Sequence, residues 1–356
     1  MPWRAENLDL PHPDPYAVLV SELMLQQTQV VTVIPYFQRW MDRFPDAQTL
    51  AQADSEEIHR HWQGLGYYRR ATHLQNAARA IAQGGWPADL EGLLALPGLG
   101  PYTAAALASI AFQMPEPALD GNAFRVLARL LGIQEDPRQQ AAILRTWLRP
   151  ALSSLGPSRM TQALMELGAL ICTPAPRCGN CPLISECVAY RDGLTDQIPP
   201  PKPRTQVRDI HLQLLALESE GHWLLQPPRQ KGLLAGLWCW PSLEEEPATG
   251  TEERTTAIAA ENAHSYNALE LRNWEGWIQT YSHRREHVHP CSIQLPGTPK
   301  PRPGLRWIPS DQLANLPMGK RDQRLRELLA EPFAPQESGD LVLNRLASFL
   351  TKVIAK

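Results

Sequence analysis

The chain has 356 residues, 43% of them hydrophobic, which is enough for real cores and too long for one ordinary domain. No run of about 18 apolar residues is present, and Met1-Pro2-Trp3-Arg4-Ala5-Glu6 lacks the apolar core of a leader peptide, so membrane spans are excluded and a cytoplasmic protein is expected. A net charge of −3 does not mark a nucleic-acid-binding protein, although 28 of the 34 basic residues are Arg, the better bidentate ligand for phosphate and base edges.

From residue 14 to about 190 the sequence predicts helix after helix. Apolar residues recur at helical spacing over Tyr16–Ile34, Thr49–Gln63, His73–Gln83, Leu90–Leu96, Tyr102–Phe112, Asn122–Leu131, Ala141–Leu152 and Arg159–Ile171, with Gly and Pro between them. This half is all-α. Ile198-Pro199-Pro200-Pro201-Lys202-Pro203-Arg204 then reads as an extended spacer. Beyond it the period falls to two: Ile210, Leu212 and Leu214 alternate with His211 and Gln213, and His222–Leu225 is the returning strand. Further strands are expected at Gly276–Ser282 and His287–Leu295, with helices near Glu253–Asn262 and Gln323–Leu329, so the second half is α+β. Leu343, Leu346, Leu350 and Val353 form one stripe of a docked amphipathic tail helix.

Chemistry concentrates in the first half. Gly98 and Gly100, in Leu96-Pro97-Gly98-Leu99-Gly100-Pro101-Tyr102, lie between two helical runs, where glycines let main-chain N–H groups approach an anion. Asp120 follows at the mouth of the next helix, with Asn122 as its expected N-cap, and the positive helix end should keep the carboxylate charged. An ionised carboxylate suits the stabilisation or capture of an oxocarbenium-like sugar. Glu22 sits among apolar neighbours in Val18-Leu19-Val20-Ser21-Glu22-Leu23-Met24-Leu25, so burial should raise its pKa and make it a proton donor. Gln26, four residues on, shares its helical face. Gly64-Leu65-Gly66-Tyr67-Tyr68-Arg69-Arg70 offers flexible backbone, aromatic faces and paired cations for bases and phosphates, although the tyrosines equally suit packing. Cys172, Cys178, Cys181 and Cys187 fall within 16 residues and suit either a [4Fe–4S] cluster or zinc; the single short spacing favours iron–sulfur. His283, His287 and His289 look like metal ligands, but strand alternation explains the last two without a metal.

Together these motifs resemble the adenine-DNA glycosylases of the helix-hairpin-helix, endonuclease III superfamily, over nearly the whole chain. Ser21-Glu22-Leu23-Met24-Leu25-Gln26-Gln27-Thr28-Gln29-Val30, Gly64–Tyr68 and Leu119–Asn122 carry the resemblance. It implies that Glu22 protonates N7 of a flipped adenine, that Asp120 stabilises or bonds to the sugar cation, and that Tyr102 and Asn122 support both. Gln26, Tyr67, Gly98, Leu99 and Gly100 resemble residues that hold the duplex or probe the stack beside 8-oxoguanine. The four cysteines would hold a [4Fe–4S] cluster, with five residues between the first two where the family usually has six. The second half resembles the family's Nudix-like module, with Tyr281-Ser282-His283 in place of Phe-Ser-His; Ser282 and His283 would contact 8-oxoguanine. Its glutamates do not reproduce a Nudix Mg²⁺ set, so it should recognise rather than hydrolyse.

The expected architecture is multidomain. An all-α catalytic region with a [4Fe–4S] loop spans 1–195, with a six-helix barrel over about 8–114 and a cluster subdomain over 1–7 plus 115–195. A Pro-rich linker (196–208), an α+β Nudix-like domain (209–335) and a tail helix (336–356) follow. The expected enzyme is a monofunctional base-excision-repair glycosylase. It would act as a bacterial cytoplasmic, nucleoid-associated monomer on duplex DNA with adenine opposite 8-oxoguanine or guanine. Endonuclease III-like enzymes carry a Lys where Tyr102 stands, and a phenol forms no imine, which disfavours a bifunctional glycosylase/AP lyase. Retention of Glu22 and Asp120 disfavours a silent damage-binding protein.

Overall fold

The computed structural model describes residues 13–201, 206–245, 270–281, 283–295 and 297–330. The expected helix at Glu253–Asn262, Ser282, residues 1–7 and the tail helix at 336–356 lie outside these residues. The chain divides into two compact units, one of residues up to Ala53 with Arg70–Pro203, the other of Asp54–Arg69 with the residues from Arg204 onward. The short segment Asp54–Arg69, which lies inside the helical half of the sequence, thus groups with the second unit by its contacts.

The first unit is helical. Helix α1 (Pro15–Leu25) begins at Asp14, whose carboxylate accepts from the N–H groups of Tyr16 and Ala17, with Pro15 at the first helical position. Every residue from Val18 to Met24 is buried, which is what a helix apolar on all sides requires. The expected single run Tyr16–Ile34 is in fact two helices. Gln27 takes a positive φ of 56°, and α2 (Val30–Arg43) starts afresh beyond it. Arg70, buried at 6% exposure, closes this break by donating to the carbonyls of Leu23, Met24 and Gln26 at 2.7, 2.9 and 2.6 Å. Those carbonyls have lost helical partners and need such a donor. Arg70 is therefore a buried helix cap and not the phosphate ligand its sequence context suggested.

Thr49–Gln63 likewise splits into α3 (Ala47–Gln52) and α4 (Ser55–Trp62), because Asp54 caps the N–H groups of Glu56 and Glu57 and restarts the helix. Helices α5 (Arg69–Gly84), α6 (Leu90–Ala95) and α7 (Pro101–Phe112) follow, then α8 (Gly121–Leu131), α9 (Ala141–Leu155) and α10 (Pro157–Glu166). The last three share a core of Leu119, Ala123, Leu127, Leu144, Leu148 and Leu164. A π-turn over Leu167–Ile171 leads directly into Cys172, and α11 (Val188–Arg191) follows the last cysteine. Ile198, expected in the linker, is 2% exposed and packs with Ala128 and Ala189.

The second unit is built on a seven-stranded mixed sheet. Its strands are β1 (Arg208–Ser219), β2 (His222–Leu225), β3 (Ser242–Glu245), β4 (Glu270–Asn273), β5 (Trp277–Thr280), β6 (Arg284–Gln294) and β7 (Arg306–Pro309), in the order β4-β6-β1-β2-β7, with β3 beside β1 and β5 beside β6. Among the described strand pairs, only β1–β6 is parallel. The alternation at the start of β1 gives way to continuous burial over Leu214–Leu217. Leu214 and Ala216 enter a core with Trp238, Trp240 and Val288, while Leu215 and Leu217 enter another with Leu224, Cys291 and Ile293. Covering both faces makes a strand read as an apolar run, and each leucine so buried contributes about 1.5–3 kcal/mol. Helix α12 (Lys320–Ala330) supplies Leu325 to the first of these cores. Within the same unit Trp238 Nε1 donates to Glu56 Oε1 at 3.1 Å, and the N–H of Met318 donates to Gln63 Oε1 at 3.3 Å.

Candidate active site

The hairpin between α6 and α7 sets the geometry of the first unit's site. Gly98 has φ +79°, and a Cβ there would lie 2.3 Å from the Cβ of His73, so both conformation and space require glycine. Gly100 caps α7 without a side-chain hydrogen bond, and a Cβ there would meet nothing within 4 Å. Its outer side is open to a partner. Leu99, by contrast, is 7% exposed, so its side chain anchors the hairpin and does not reach outward as a lesion contact.

Helix α7 brings Tyr102 against α1. The Tyr102 hydroxyl donates to Glu22 Oε2 at 3.0 Å, and Glu22 itself is 6% exposed. One turn further along α1, Gln26 Nε2 donates to Thr103 Oγ1 at 3.1 Å, holding the amide at the helix end that Arg70 caps. A buried carboxyl with one oxygen held by a phenol is an oriented proton donor or acceptor.

Asp120 is itself the N-cap of α8, a place the sequence had given to Asn122. Its Oδ1 accepts from the N–H of Ala123 at 2.7 Å, and Asn122 lies in the first turn. One carboxylate oxygen is committed to the helix end, and the other has no hydrogen bond among the described residues. The Asn122 amide is oriented by Arg125, whose Nη2 donates to Asn122 Oδ1 and to the carbonyl of Gly168, both at 2.9 Å, while its Nε donates to the carbonyl of Cys172 at 2.8 Å. Gly168 matters here because a Cβ would come 2.9 Å from that of Asn122.

The four cysteines line one cavity of about 30 Å³ together with Arg129 and Ile184. Burial first, then the nearby Cys172, Cys187 and Cys181, push the Cys178 thiol above the ordinary thiol range, with Arg129 acting the other way. Four mutually repelling thiolates suit a soft multivalent metal group. Arg129, 4% exposed, braces the loop by donating to the carbonyls of Thr173, Pro174 and Ile198 at 2.6, 3.0 and 2.8 Å, and it stands 3.5 Å from Cys172 Sγ. Sequence reasoning missed Arg125 and Arg129. Their spacing of four residues within an apolar helix is the signal that would have found them.

Tyr67 and His283 lie in the second unit. Tyr67 has a positive φ of 48° and is 46% exposed, while Tyr68 beside it is buried and accepts from the N–H of Gly64. A non-glycine residue at positive φ is uncommon outside Asn and Asp. His283 is exposed in the turn between β5 and β6, where the N–H of Tyr281 donates to the carbonyl of Arg284 at 2.8 Å. Burial pushes the Tyr281 phenol up to about 12. Histidines 287 and 289 lie on β6 beside His211, whose ring stacks on theirs, and His287 pairs with Asp209 at 2.9 Å. Among the described residues no group of three or more His, Cys, Asp or Glu is arranged to hold a metal ion, and no helix is long and apolar enough to cross a membrane.

Residues 20–150 match the HhH-GPD superfamily of base excision DNA repair proteins, and residues 213–328 match the NUDIX domain family. The adenine DNA glycosylase of Mus musculus is 33% identical over 88% of this chain and 72% of its own length. That of Homo sapiens is 34% identical over 88% and 68%. The solved structure of a thermostable thymine-DNA glycosylase aligns with 54% of this chain and 88% of its own at 25% identity, with a TM-score of 0.46. The chain is a DNA glycosylase of base excision repair and belongs to the adenine DNA glycosylase family.

Proposed function

We propose that the enzyme releases adenine mispaired with 8-oxoguanine or guanine in duplex DNA and leaves the strand intact. The observation that carries this reading is the buried Glu22 carboxyl held by the Tyr102 hydroxyl at 3.0 Å. In the proposed reaction adenine is flipped from the stack and Glu22 gives a proton to N7. The bond from N9 to C1′ of the sugar breaks, its electron pair leaving with the base. The sugar cation that remains is met by the uncommitted oxygen of Asp120, and water completes hydrolysis at C1′. Tyr102 and Asn122 keep these two groups in place.

The monofunctional outcome is supported by composition as well as by Tyr102. None of the six lysines precedes Lys202, so residues 1–201 offer no ε-amine to attack C1′ and open a Schiff-base route to strand cleavage. Gly98 and Gly100 would meet the phosphate backbone, and Gln26 would enter the stack near the mispair. In the second unit Tyr67, Ser282 and His283 are proposed to read 8-oxoguanine. Cys172, Cys178, Cys181 and Cys187 would hold a [4Fe–4S] cluster. The four thiols line one cavity, and a [4Fe–4S] cluster takes one thiolate per iron. When bound, the cluster would supply a rigid cross-link for the loop that contacts Arg125 and Arg129.

The test uses duplex containing adenine opposite 8-oxoguanine. Free adenine should appear, and strand breaks should follow only after alkali treatment. Glu22→Gln should bind the duplex and release nothing. Normal release by Glu22→Gln, or breakage without alkali together with borohydride trapping, refutes the proposal.

A further inference from the structure

Glu56, His59 and Gln63 form one stripe along α4 and its C-cap, at spacings of three and four residues. All three meet residues from the second half of the chain, within the same compact unit. Glu56 Oε1 accepts from the indole N–H of Trp238 at 3.1 Å, and Gln63 Oε1 accepts from the main-chain N–H of Met318 at 3.3 Å. Between them the buried His59 ring lies so close to Gly236 that a Cβ there would come 2.2 Å from its Nε2. Trp238 is itself held. It packs with Leu214, Ala216 and Trp240, and its main-chain N–H donates to the carbonyl of Pro317 at 2.9 Å. Three contacts in a row fix a helix in rotation and in register, which one contact does not.

The other end of α4 leads into the turn that presents Tyr67. Trp62, wholly buried, donates through Nε1 to the carbonyl of Gly66 at 3.1 Å, and its own carbonyl accepts from the N–H of Leu65 at 3.1 Å. The Tyr68 hydroxyl accepts from the N–H of Gly64 at 3.4 Å. These bonds frame a turn in which Gly64, Gly66 and Tyr67 take positive φ values of 101°, 71° and 48°. A tyrosine rarely adopts such a conformation, and it persists only where the surroundings over-determine it. Helix and turn thus form one braced piece. Its foot rests on Gly236, Trp238 and Met318, and its tip carries a half-exposed aromatic ring.

We propose that Glu56, Gln63 and Trp238 are positioning residues for specificity. Through α4 they hold the Tyr67 ring where it distinguishes 8-oxoguanine from guanine opposite adenine, in the unit that also carries His283. This rests on the assignment of Tyr67 to lesion reading made above. None of the three belongs to the groups assigned to bond cleavage. A reader fixed before binding gives up little conformational freedom on contact, so its interactions with the lesion count in full. On a loosened stalk, part of them is lost to ordering. Loosening the foot of α4 should therefore lower discrimination and leave the cleavage rate alone.

The test compares affinities of the full chain for two duplexes, with 8-oxoguanine or guanine opposite an adenine on a 2′-fluoro sugar. Fluorine destabilises the sugar cation, so the base stays on. Glu56→Ala should cut the preference for 8-oxoguanine about tenfold, the weight of one hydrogen bond to a charged acceptor. Glu56→Gln keeps an acceptor for the indole and should stay within about twofold of wild type. Trp238→Phe keeps a ring in the core, removes the donor and should match Glu56→Ala. Single-turnover adenine release at saturating guanine-paired duplex should be unchanged in Glu56→Ala. The deciding comparison is made in Tyr67→Ala, which should itself lose the preference; there Glu56→Ala should have no further effect. A wild-type preference in Glu56→Ala, a loss that Glu56→Gln shares, or an equal further loss in Tyr67→Ala overturns the positioning role. If Tyr67→Ala keeps the preference, the assignment of Tyr67 falls and the positioning role with it, while adenine release still reports separately on Glu22.

Discussion

Two glycines separated by one residue are predicted to respond to the same substitution in opposite ways. In Gly98→Ala the new Cβ falls 2.3 Å from Cβ, 2.5 Å from Cγ and 2.6 Å from Nδ1 of His73, at φ +79°. Left-handed backbone costs an alanine about 1–2 kcal/mol, and overpacking of this kind costs about 1–3 kcal/mol more. The sum, about 2–5 kcal/mol, lowers Tm by at least about 4 °C in a unit of this size. His73→Ala in the same molecule should restore only part of the loss, because the closest atom, the His73 Cβ, remains. Gly100→Ala meets nothing within 4 Å and sits at φ −85°. Its stability should stay within about 0.5 kcal/mol of wild type, while duplex affinity falls because the methyl occupies the approach to the helix N-terminus. The assays are thermal unfolding by circular dichroism and duplex binding by anisotropy. A Gly98→Ala protein with wild-type Tm would sink the crowding argument. A Gly100→Ala protein with wild-type duplex affinity would show that nothing comes close there.

Other expectations follow from single contacts. Tyr102→Phe removes one donor to a carboxylate, a loss of about 1.5–3 kcal/mol; single-turnover adenine release should fall about 10- to 100-fold with duplex affinity unchanged, and an unaltered rate would remove Tyr102 from the site. Arg129→Met strips donors from three carbonyls, each worth about 1–3 kcal/mol when left buried; the purified variant should carry less iron and be cut faster by protease between 172 and 198, and wild-type iron content with wild-type Tm would count against the bracing role. His59 is buried with Nδ1 2.7 Å from the Ser55 carbonyl, and burial lowers its pKa below 6.5. A lowered histidine stabilises the neutral folded form above pH 6.5, and that stability is lost as pH falls through the folded-state value. The urea midpoint of the second unit should therefore drop on acidification from pH 7.5, and His59→Gln should flatten that dependence; an equally steep profile in the variant would assign it elsewhere. Gly236→Ala should destabilise the same unit at every pH, because its Cβ would lie 2.2 Å from His59 Nε2 at φ +82°; an unchanged urea midpoint would refute this.

The candidate site residues are conspicuous in the sequence because they depend on local chemistry. Glu22 stands out among apolar neighbours in any helix, Gly98 is compulsory in its tight corner at φ +79°, and cysteines clustered in the sequence stay together around one cavity. The misreadings share one cause, which is that tertiary partners decide what a polar residue does. Arg70 looks like a phosphate ligand until the broken end of α1 needs three donors. Leu99 looks outward only if the hairpin is viewed without the helices behind it. Asn122 and Asp120 are both good caps by type, and Arg125 decides between them by engaging the amide of Asn122. In the sheet, period-two reading found β1 and β2 but not the burial of both faces of β1, since a second covering layer leaves no local trace beyond a run of apolar residues.

The parallel pairing of β1 with β6 places an unusual demand on synthesis. Every residue from Arg208 to Glu218 pairs with one between Arg284 and Gln294, so the strand at the middle of the sheet emerges from the ribosome long before its main neighbour. At ordinary elongation speeds that interval is about 4–15 s. Throughout it a strand apolar on both faces has one edge unsatisfied, which is a template for pairing with other chains. A nascent chain stalled before β6 is thus a more dangerous species than one stalled inside the helical unit, and products shortened to end between β2 and β6 should collect in the insoluble fraction.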